Sequence, residues 1–362
     1  MKHKAKLLLS PKNLKPSFKG WKILGVLNPG AIRIPNGKII MYARIAEEGI
    51  KHKHGKELMC PVMASKDDYK EEYKVISEKN VLKTGKWNEI YLKDGTCILP
   101  HISHFRKITI KENGYGIEKI EHRPAFTGIP NESDYGVEDP RITQIDDKYY
   151  MTYVGVSIKE GVSTFLAESD DLINWNRLGL IFREQNKDVV LFPEKINGEY
   201  VALNRPETLF HFSKPGIWIS YSKDLIYWGK DKNIMRPRGS NSWEVDRIGA
   251  GCPPIKTEKG WLVIYHGMSE EGDKRYYSGG VVLLDLKNPE KILARSPLDK
   301  PLIIPEEKFE KEGYLANVVF PTAAIPTKDK KSLLIYSGGA DSVISVRKIS
   351  FKEIFRHLNL KI

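Results

Sequence analysis

Three basic residues recur at one position of a repeated sequence pattern. Arg44, Arg205 and His266 each end a run of alternating aromatic and aliphatic residues that follows a polar turn. Guanidinium and imidazole groups donate hydrogen bonds to anions and to sugar hydroxyls. If the repeats surround one axis, the three side chains converge there and predict an anion-binding or sugar-binding site. The alternative is that all three are surface charges at strand ends.

The segment Gly136–Thr143 contains a carboxylate beside a proline and an arginine, in the order Gly-Val-Glu-Asp-Pro-Arg-Ile-Thr. Pro140 has no N–H to donate, so the segment begins a strand or lies at a sheet edge. Strand alternation predicts that Asp139 and Arg141 share one face and that Glu138 lies on the other. From the sequence alone, Asp139 and Arg141 fit a structural ion pair as well as a catalytic pair.

The glycine-rich segment Arg247–Pro254 follows the aromatic residue Trp243. Its glycines permit close approach of the backbone, and Arg247 is placed to face the same convergence point. The segment lacks the strand–turn–helix context of a nucleotide-binding loop, so we do not interpret it as one.

The elements that must position these residues are five repeated strands. Each strand follows a tight turn and is rich in β-branched and aromatic residues. The five segments are Gly37–Arg44, Lys148–Gly155, Gly198–Arg205, Lys259–His266 and Lys331–Gly338. A second motif, Ser169–Trp175, recurs as Ser222–Trp228, and we expect its Asp to bond turn amides and its Trp to pack between sheets.

A period of roughly 50 residues with several short strands predicts an all-β, five-bladed β-propeller. The interval from Gly37 to Lys148 covers two periods and therefore predicts an insertion, which we place around Lys51–Lys56 and Lys107–Arg123. No Gly/Ser/Pro-rich linker interrupts the chain, so we expect residues 1–362 to form a single domain.

A short helix is predicted at the C-terminal end, about residues 350–360. Phe351, Ile354, Phe355 and Leu358 recur at helical spacing and give one apolar face. We expect this face to pack on the propeller.

The charge balance favours a solvated basic surface. The formal net charge is +12, from 58 basic and 46 acidic residues, and the lysines are spread along the chain. An anionic substrate is the second interpretation. Nucleic acid is a distant third, because no nucleic-acid-binding motif is present. Cys60, Cys97 and Cys252 are far apart and form no metal-binding pair, so we expect reduced thiols and no metal site.

Neither a membrane span nor a secretion signal is predicted. No apolar run approaches the roughly 18 residues that cross a bilayer. The run Leu7-Leu8-Leu9 is shorter than the core of a signal peptide, which needs about 7–15 residues. We therefore expect a cytoplasmic protein with no membrane partner.

Taken together, the motifs resemble glycoside hydrolase family 130, the five-bladed β-mannoside phosphorylases and mannosidases. The resemblance extends in the same order over almost the whole chain. Its segments are Leu27–Ala31, Glu138–Arg141, Val190–Gly198, Asn204–Pro206, Arg247–Gly251, Gly260–Gly267, Val282–Leu286, Pro305–Glu307, Asn317–Pro321 and Tyr336–Asp341.

The resemblance implies a role for each matching position. Asp139 would be the general acid, passing its proton through a hydroxyl of the bound mannose. The implied substrate-binding residues are Asn28, Arg44, Arg141, Asp188, Tyr277 and Asp341, and the implied phosphate-binding residues are Lys187, Arg205, Arg247 and His266. No cofactor is implied beyond inorganic phosphate as co-substrate.

Two positions depart from the family pattern. Lys187-Asp188 stands where phosphorylases of the family often have Arg-Asn, and a carboxylate is unfavourable beside phosphate. Glu138 stands where many β-1,4-acting relatives have Tyr, which favours β-1,2-linked mannosides over β-1,4-linked ones.

The implied reaction is an inverting phosphorolysis that converts a β-linked manno-oligosaccharide and phosphate into α-mannose 1-phosphate and a shortened sugar. The first alternative is an inverting β-mannosidase that uses water on the same fold. The second is a non-catalytic sugar-binding propeller, which the unequal residues at the ends of the five repeats argue against. We expect no nucleic acid partner, and whether the chain forms a homo-oligomer stays open.

Overall fold

The computed structural model describes residues 3–53, 56–63, 65, 69–85, 88–207, 212–272 and 274–360. Strands dominate it. Those in the first third of the chain are β1 (Lys6–Leu9), β2 (Lys22–Arg33), β3 (Ile39–Glu48), β4 (Lys51–Lys53), β5 (Glu57–Pro61), β6 (Tyr73–Ser77), β7 (Val81–Thr84), β8 (Ile90–Leu92), β9 (Cys97–Ile98), β10 (His101–Ile110) and β11 (Ile117–Ile120).

The remaining strands follow the repeats predicted from the sequence. They are β12 (Val137–Ile145), β13 (Lys148–Ser157), β14 (Gly161–Ser169), β15 (Asn176–Phe182), β16 (Asn186–Leu191), β17 (Tyr200–Pro206), β18 (Ile217–Ser222), β19 (Trp228–Met235), β20 (Arg247–Ala250), β21 (Ile255–Thr257), β22 (Gly260–Glu271), β23 (Lys274–Leu284), β24 (Ile292–Arg295), β25 (Val319–Pro326), β26 (Ser332–Gly339) and β27 (Val343–Ser350).

Five antiparallel sheets form the blades of the predicted propeller. Their strand orders are β2-β3-β10-β11, β12-β13-β14-β15, β16-β17-β18-β19, β20-β22-β23-β24 and β25-β26-β27-β1, and the short β21 also pairs with β22. The first strand of each blade is innermost: β2 contacts β12 and β25, and β16 contacts β12 and β20. The all-β, five-bladed prediction is therefore confirmed.

The N-terminal strand completes the last blade. In β1, Lys6 lies opposite Val346 of β27, so the two ends of the chain share one sheet. This pairing joins the first residues of the ring to the last.

The second sequence motif makes the predicted contacts. The Asp171 carboxylate accepts hydrogen bonds from the backbone N–H groups of Ile173 (2.7 Å) and Asn174 (2.8 Å), closing the turn. Trp175 Nε1 donates to the hydroxyl of Tyr42 in the first blade at 2.9 Å. The motif thus shapes a turn and joins neighbouring blades.

The predicted insertion is only half right. Strands β4–β9 form two small three-stranded sheets between β3 and β10, so the segment beginning at Lys51 is inserted; His54 and Gly55 lie outside the described residues. Lys107–Arg123 is not inserted, because it contains the end of β10 and all of β11, the outer strands of the first blade. The interval's length gave no information on where the extra residues lie.

The C-terminal helix is α2 (Phe351–His357), and the only other α-helix in the described residues is α1 (Lys308–Lys311). Ser350 caps α2 by accepting a hydrogen bond from the Glu353 N–H. Ile354 and Leu358 are buried in a cluster with β26 and β27, as the apolar spacing predicts. Among the described residues, no helix combines the length and apolar character needed to cross a membrane.

Candidate active site

The three repeated basic residues lie on the second strand of their blades, each opposite an innermost strand. Arg44 pairs with Leu27 of β2, Arg205 with Lys187 of β16 and His266 with Gly249 of β20. Their shared offset in the sequence therefore corresponds to a shared position in the fold.

The inner strands of the first three blades carry bulges beside these positions. Pairing is interrupted between Leu27 and Gly30, between Glu138 and Arg141, and between Lys187 and Val190. Asn28, Asp139 and Asp188 occupy the interruptions with left-handed φ angles of 34°, 51° and 57°. A bulge re-aims a side chain out of the alternating pattern, so three polar residues leave the regular sheet at equivalent places.

The first group of side chains, which we call the acid cluster, comprises Asn28, Arg44, Glu138, Asp139 and Asp341. Arg44 Nη1 lies 3.1 Å from Asp139 Oδ1, and Arg44 Nη2 lies 2.5 Å from Glu138 Oε1. Asn28 Nδ2 donates to the same Asp139 oxygen at 2.9 Å. One arginine thus binds both carboxylates, and Asn28 fixes the orientation of Asp139.

The expectation that Glu138 lies on the opposite face from Asp139 is wrong. Both side chains contact Arg44, with side-chain exposures of 13% and 14%. The reason is the bulge at Asp139–Pro140, which breaks the alternation on which the expectation relied. The partner expected for Asp139 is also different, because its carboxylate binds Arg44 and Asn28, not Arg141.

Asp341 completes the acid cluster from the turn between β26 and β27. Burial raises its pKa to about 6, and the negative charges of Asp139 and Glu138 act in the same direction against the opposing effect of Arg44. Burial alone would lower the pKa of Arg44, but Glu138, Asp139 and Asp341 outweigh it and raise the pKa. Arg44 is therefore a fixed positive charge among three carboxyl groups.

The second group, which we call the cation cluster, comprises Lys187, Arg205, Arg247 and His266 together with Asp188 and Glu207. One Glu207 carboxylate bridges two arginines, 2.9 Å from Arg205 Nη1 and 2.8 Å from Arg247 Nη2. Lys187 Nζ lies 3.9 Å from Glu138 Oε2, which places the two clusters side by side.

Asp188, which the resemblance implied as a substrate-binding residue, is enclosed beneath the cations. Its side chain is 2% exposed, and Arg205 Nε donates to Oδ2 at 2.6 Å while His266 Nε2 lies 3.4 Å from the same oxygen. Burial alone would raise the pKa of Asp188, but Arg205 above all holds it well below the usual range. The carboxylate is ionised and fully engaged in holding Arg205.

His266 is not a cation in this structure, contrary to its place among the predicted positive charges. The side chain is completely buried, and burial, reinforced by Arg205 and Arg141, lowers its pKa despite Asp188. Its Nδ1 is buried and has no hydrogen-bond partner among the described residues. At neutral pH, His266 is therefore a neutral group that can donate one hydrogen bond.

Gly249 is required at the contact of Asp188 with His266. A Cβ at this position would lie 2.6 Å from His266 Cε1 and would overlap the Asp188 carboxylate. The sequence analysis proposed close backbone approach in this glycine-rich segment, and the structure shows which side chains make use of it.

Arg141, which the resemblance implied as a substrate-binding residue, is a buried clamp between strands. Its side chain is 1% exposed. Arg141 Nε donates to the Gly251 carbonyl at 2.6 Å and Nη1 donates to the Asp139 carbonyl at 3.0 Å. It therefore holds the backbone that carries Asp139 and has no exposed surface for a ligand.

Tyr277 lies between the two clusters on β23. Its ring centroid is 6.0 Å from that of His266, and the side chain is buried. Burial raises the pKa of its hydroxyl, while Arg247 and Arg205 act in the opposite direction and Asp341 raises it further. The predicted substrate-binding position is thus within the influence of both clusters.

Glu207 is the one charged member of the cation cluster that the sequence analysis missed. It lies two residues after Arg205 in Arg-Pro-Glu, the spacing that puts two strand residues on one face. This two-residue spacing was visible in the sequence. Because the other repeats have no acidic residue at this position, Glu207 was not part of the repeated pattern. Within the described part of the chain, no group of three or more His, Cys, Asp or Glu side chains is arranged to hold a metal ion.

Comparison with known proteins identifies the family to which the chain is similar. Residues 90–360 match the family model Glyco_hydro_130, described as beta-1,4-mannooligosaccharide phosphorylase. The chain is 38% identical to the 1,2-beta-oligomannan phosphorylase of Thermoanaerobacter sp. (strain X514), over 77% of this chain and 91% of that protein. It is 32% identical to the beta-1,2-mannobiose phosphorylase of Listeria innocua, over 98% and 97% of the two chains. The solved structure of the Listeria innocua protein, a complex with beta-1,2-mannobiose, superposes with a TM-score of 0.85.

Proposed function

The chain belongs to glycoside hydrolase family 130, and we propose that it is an inverting phosphorylase of β-1,2-linked manno-oligosaccharides. The products are α-mannose 1-phosphate and a sugar shortened by one mannose. The observation that carries this proposal is the convergence of Arg205 and Arg247 on a single carboxylate, each within 3 Å of it. Two arginines that hold one oxyanion in common have the geometry to hold phosphate.

The acid cluster supplies the proton for the leaving sugar. Asp139 is held by Asn28 and Arg44, so its carboxyl group has a fixed direction. Asn28 Oδ1 is buried with no hydrogen-bond partner among the described residues, and it offers an acceptor to a sugar hydroxyl. A sugar bound against Asn28, Arg44 and Asp341 presents its hydroxyls to Asp139, which passes its proton through one of them to the glycosidic oxygen.

The cation cluster supplies the nucleophile. Phosphate is costly to take out of water unless charge-assisted hydrogen bonds replace its hydration. Lys187, Arg205 and Arg247 provide three positive charges, while His266, buried and neutral, packs against Asp188. Phosphate held there attacks the anomeric carbon from the face opposite the departing sugar, which inverts the configuration, and it needs no general base.

A water-dependent mannosidase needs a carboxylate base on that face. Asp188 is enclosed by Arg205 and His266 and cannot reach a water at the anomeric carbon. Burial alone would raise the pKa of Glu207, but Arg205 and Arg247 lower it, which makes this carboxylate a weak base. Neither carboxylate is therefore suited to activate a water, and we favour phosphate as the nucleophile.

Glu138 and the relatives indicate which glycosidic linkage the substrate has. Glu138 is bound by Arg44 and lies 3.9 Å from Lys187, so the residue before the acid is an anchored carboxylate and not an aromatic surface. Three relatives that are 32–40% identical over 77–98% of this chain are described as acting on β-1,2-linked substrates. One that is 34% identical over 63% of it is described as a β-1,4-mannooligosaccharide phosphorylase. We therefore favour the β-1,2 linkage, although the family model is described by a β-1,4-linked substrate.

Initial rates with β-1,2- and β-1,4-mannobiose, with and without phosphate, test the proposal. We expect cleavage to require phosphate and to favour the β-1,2 linkage. Arg205→Ala and Arg247→Ala should raise the KM for phosphate much more than the KM for the sugar, whereas Arg236→Ala, which removes a surface arginine bound to Ser213, should change neither. Release of free mannose at the full rate without phosphate would refute phosphorolysis.

A further inference from the structure

Building on the proposed phosphorolysis, we propose that Glu207 selects a protonated tetrahedral anion, such as phosphate, over sulfate. It does so by accepting a hydrogen bond from the P–OH group of the bound anion. Glu207 is then a specificity-determining residue for the nucleophile.

The position of Glu207 is the first argument. Its two carboxylate oxygens lie 2.9 Å from Arg205 and 2.8 Å from Arg247, the two arginines that the proposed function assigns to the anion. Its backbone N–H donates to the Gln185 carbonyl at 2.9 Å, so the residue is anchored where β17 ends. The side chain is 14% exposed, in contrast to 2% for Asp188. A carboxylate therefore lies at the surface where an anion would contact both arginines.

The charge balance is the second argument. Three cations, Lys187, Arg205 and Arg247, face the carboxylates of Asp188 and Glu207. Asp188 already holds Arg205 through a 2.6 Å hydrogen bond, so a second carboxylate is not needed to position that arginine. A site that only attracted anions would be stronger without Glu207. Its presence is explained if the carboxylate contacts the anion itself.

Hydrogen-bond chemistry then determines which anion fits. An ionised carboxylate has acceptors and no donor. Phosphate and arsenate keep at least one acidic proton at neutral pH and can donate it, whereas sulfate has only acceptor oxygens. Sulfate at this position would place its negative oxygens against Glu207 with no hydrogen between them, and such an unpaired contact is how sites reject ligands of similar shape. The proton stays on the anion, so no bond is formed or broken by Glu207.

Calorimetric titration of phosphate, arsenate and sulfate into the free enzyme measures this selection. For the unaltered chain we expect phosphate and arsenate to bind similarly and sulfate to bind about 10- to 100-fold more weakly, the range for one hydrogen bond to a charged group. Glu207→Gln can donate a hydrogen bond to sulfate. In this variant the ratio of the sulfate Kd to the phosphate Kd should fall by about the same factor. Glu207→Asp should keep most of this difference in affinity, and the control substitution Glu199→Gln should leave the ratio of the two Kd values unchanged.

The outcomes separate this inference from the function on which it rests. If Glu207→Gln tightens phosphate and sulfate by the same factor, Glu207 is only a counter-charge and the inference is overturned, while phosphorolysis stands. If sulfate binds the unaltered chain as tightly as phosphate, the inference is overturned without any variant. If the unaltered chain binds neither anion and releases mannose at the full rate without phosphate, both proposals are overturned.

Discussion

Replacing Asp341 by Asn should stabilise the fold at neutral pH while weakening sugar binding. Asp341 is partly buried beside Asp139 and Glu138, and its pKa rises from 3.8 to about 6. A difference of about two units corresponds to about 3 kcal/mol at 1.36 kcal/mol per unit. Solvent reaches part of the side chain, so we expect a gain of about 1–3 kcal/mol in the free energy of unfolding.

The sign of the pH dependence follows from the raised pKa. Below about pH 4, Asp341 is protonated in both the folded and the unfolded chain, and Asn should give no gain. As the pH rises from about 4 to 6, the Asp341 carboxyl group ionises in the unfolded chain but stays largely protonated in the folded chain. The free energy of unfolding of the wild-type protein therefore falls over this range, whereas that of the Asn variant does not. Urea unfolding of both proteins at several pH values between 4 and 8 measures the growing difference.

Asp285→Asn is the matched control with the opposite sign. Hydrogen bonds from the backbone N–H groups of Asn288 and Lys287 lower the pKa of Asp285, so its removal should destabilise the chain at neutral pH and less so in acid. A gain from Asp341→Asn that is the same at pH 4 and pH 8, or a loss at pH 8, would show that the acid cluster does not act on Asp341 as we describe.

Four further substitutions test the geometry. Gly249→Ala places a Cβ 2.6 Å from His266 Cε1. The KM for phosphate should therefore rise about tenfold or more, and the KM for the sugar should change less. An unchanged KM for phosphate would show that the close contact at Gly249 does not position the cation cluster. Asp139→Asn should keep the fold and reduce kcat roughly 10²–10⁴-fold. Glu138→Gln, which loosens one of the two carboxylate contacts of Arg44, should cost about tenfold, and equal losses for the two variants would refute Asp139 as the acid. Trp175→Phe removes a hydrogen bond between the first two blades and should lower the free energy of unfolding by about 0.5–1.5 kcal/mol; no change in urea unfolding contradicts that role.

The repeat was the strongest information in the sequence. It predicted the number of blades and the convergence of Arg205 and His266, which meet on Asp188. A shared offset in a repeat specifies a position in three dimensions, because each unit is one blade with the same strand order. The position of the insertion was predicted only in part, because a long interval between repeats does not show which residues belong to the regular strands.

Strand alternation failed where the inner strand bulges. Asp139 and Pro140 interrupt the pairing of β12, and Asn28 and Pro29 do the same in β2. A polar residue followed by proline was visible in both segments, and proline in a strand indicates a bulge or an edge. Used in this way, the sequence would have predicted that the alternation breaks at Asp139.

The charge of the cation cluster could not be obtained by counting basic residues. His266 is neutral because it is completely buried, and Glu207 adds a second carboxylate that was not expected beside Asp188. Both effects depend on burial and on contacts between blades, which a repeat pattern does not contain.

The identity of the first product distinguishes phosphorolysis from hydrolysis directly. The enzyme is mixed with β-1,2-mannobiose and phosphate, and the reaction is followed by ³¹P and ¹H NMR from its first minutes. We predict that α-mannose 1-phosphate and free mannose form in equal amounts, and that nothing forms when phosphate is left out. Two mannose molecules for each mannobiose, with no phosphate ester and no dependence on phosphate, would contradict the account.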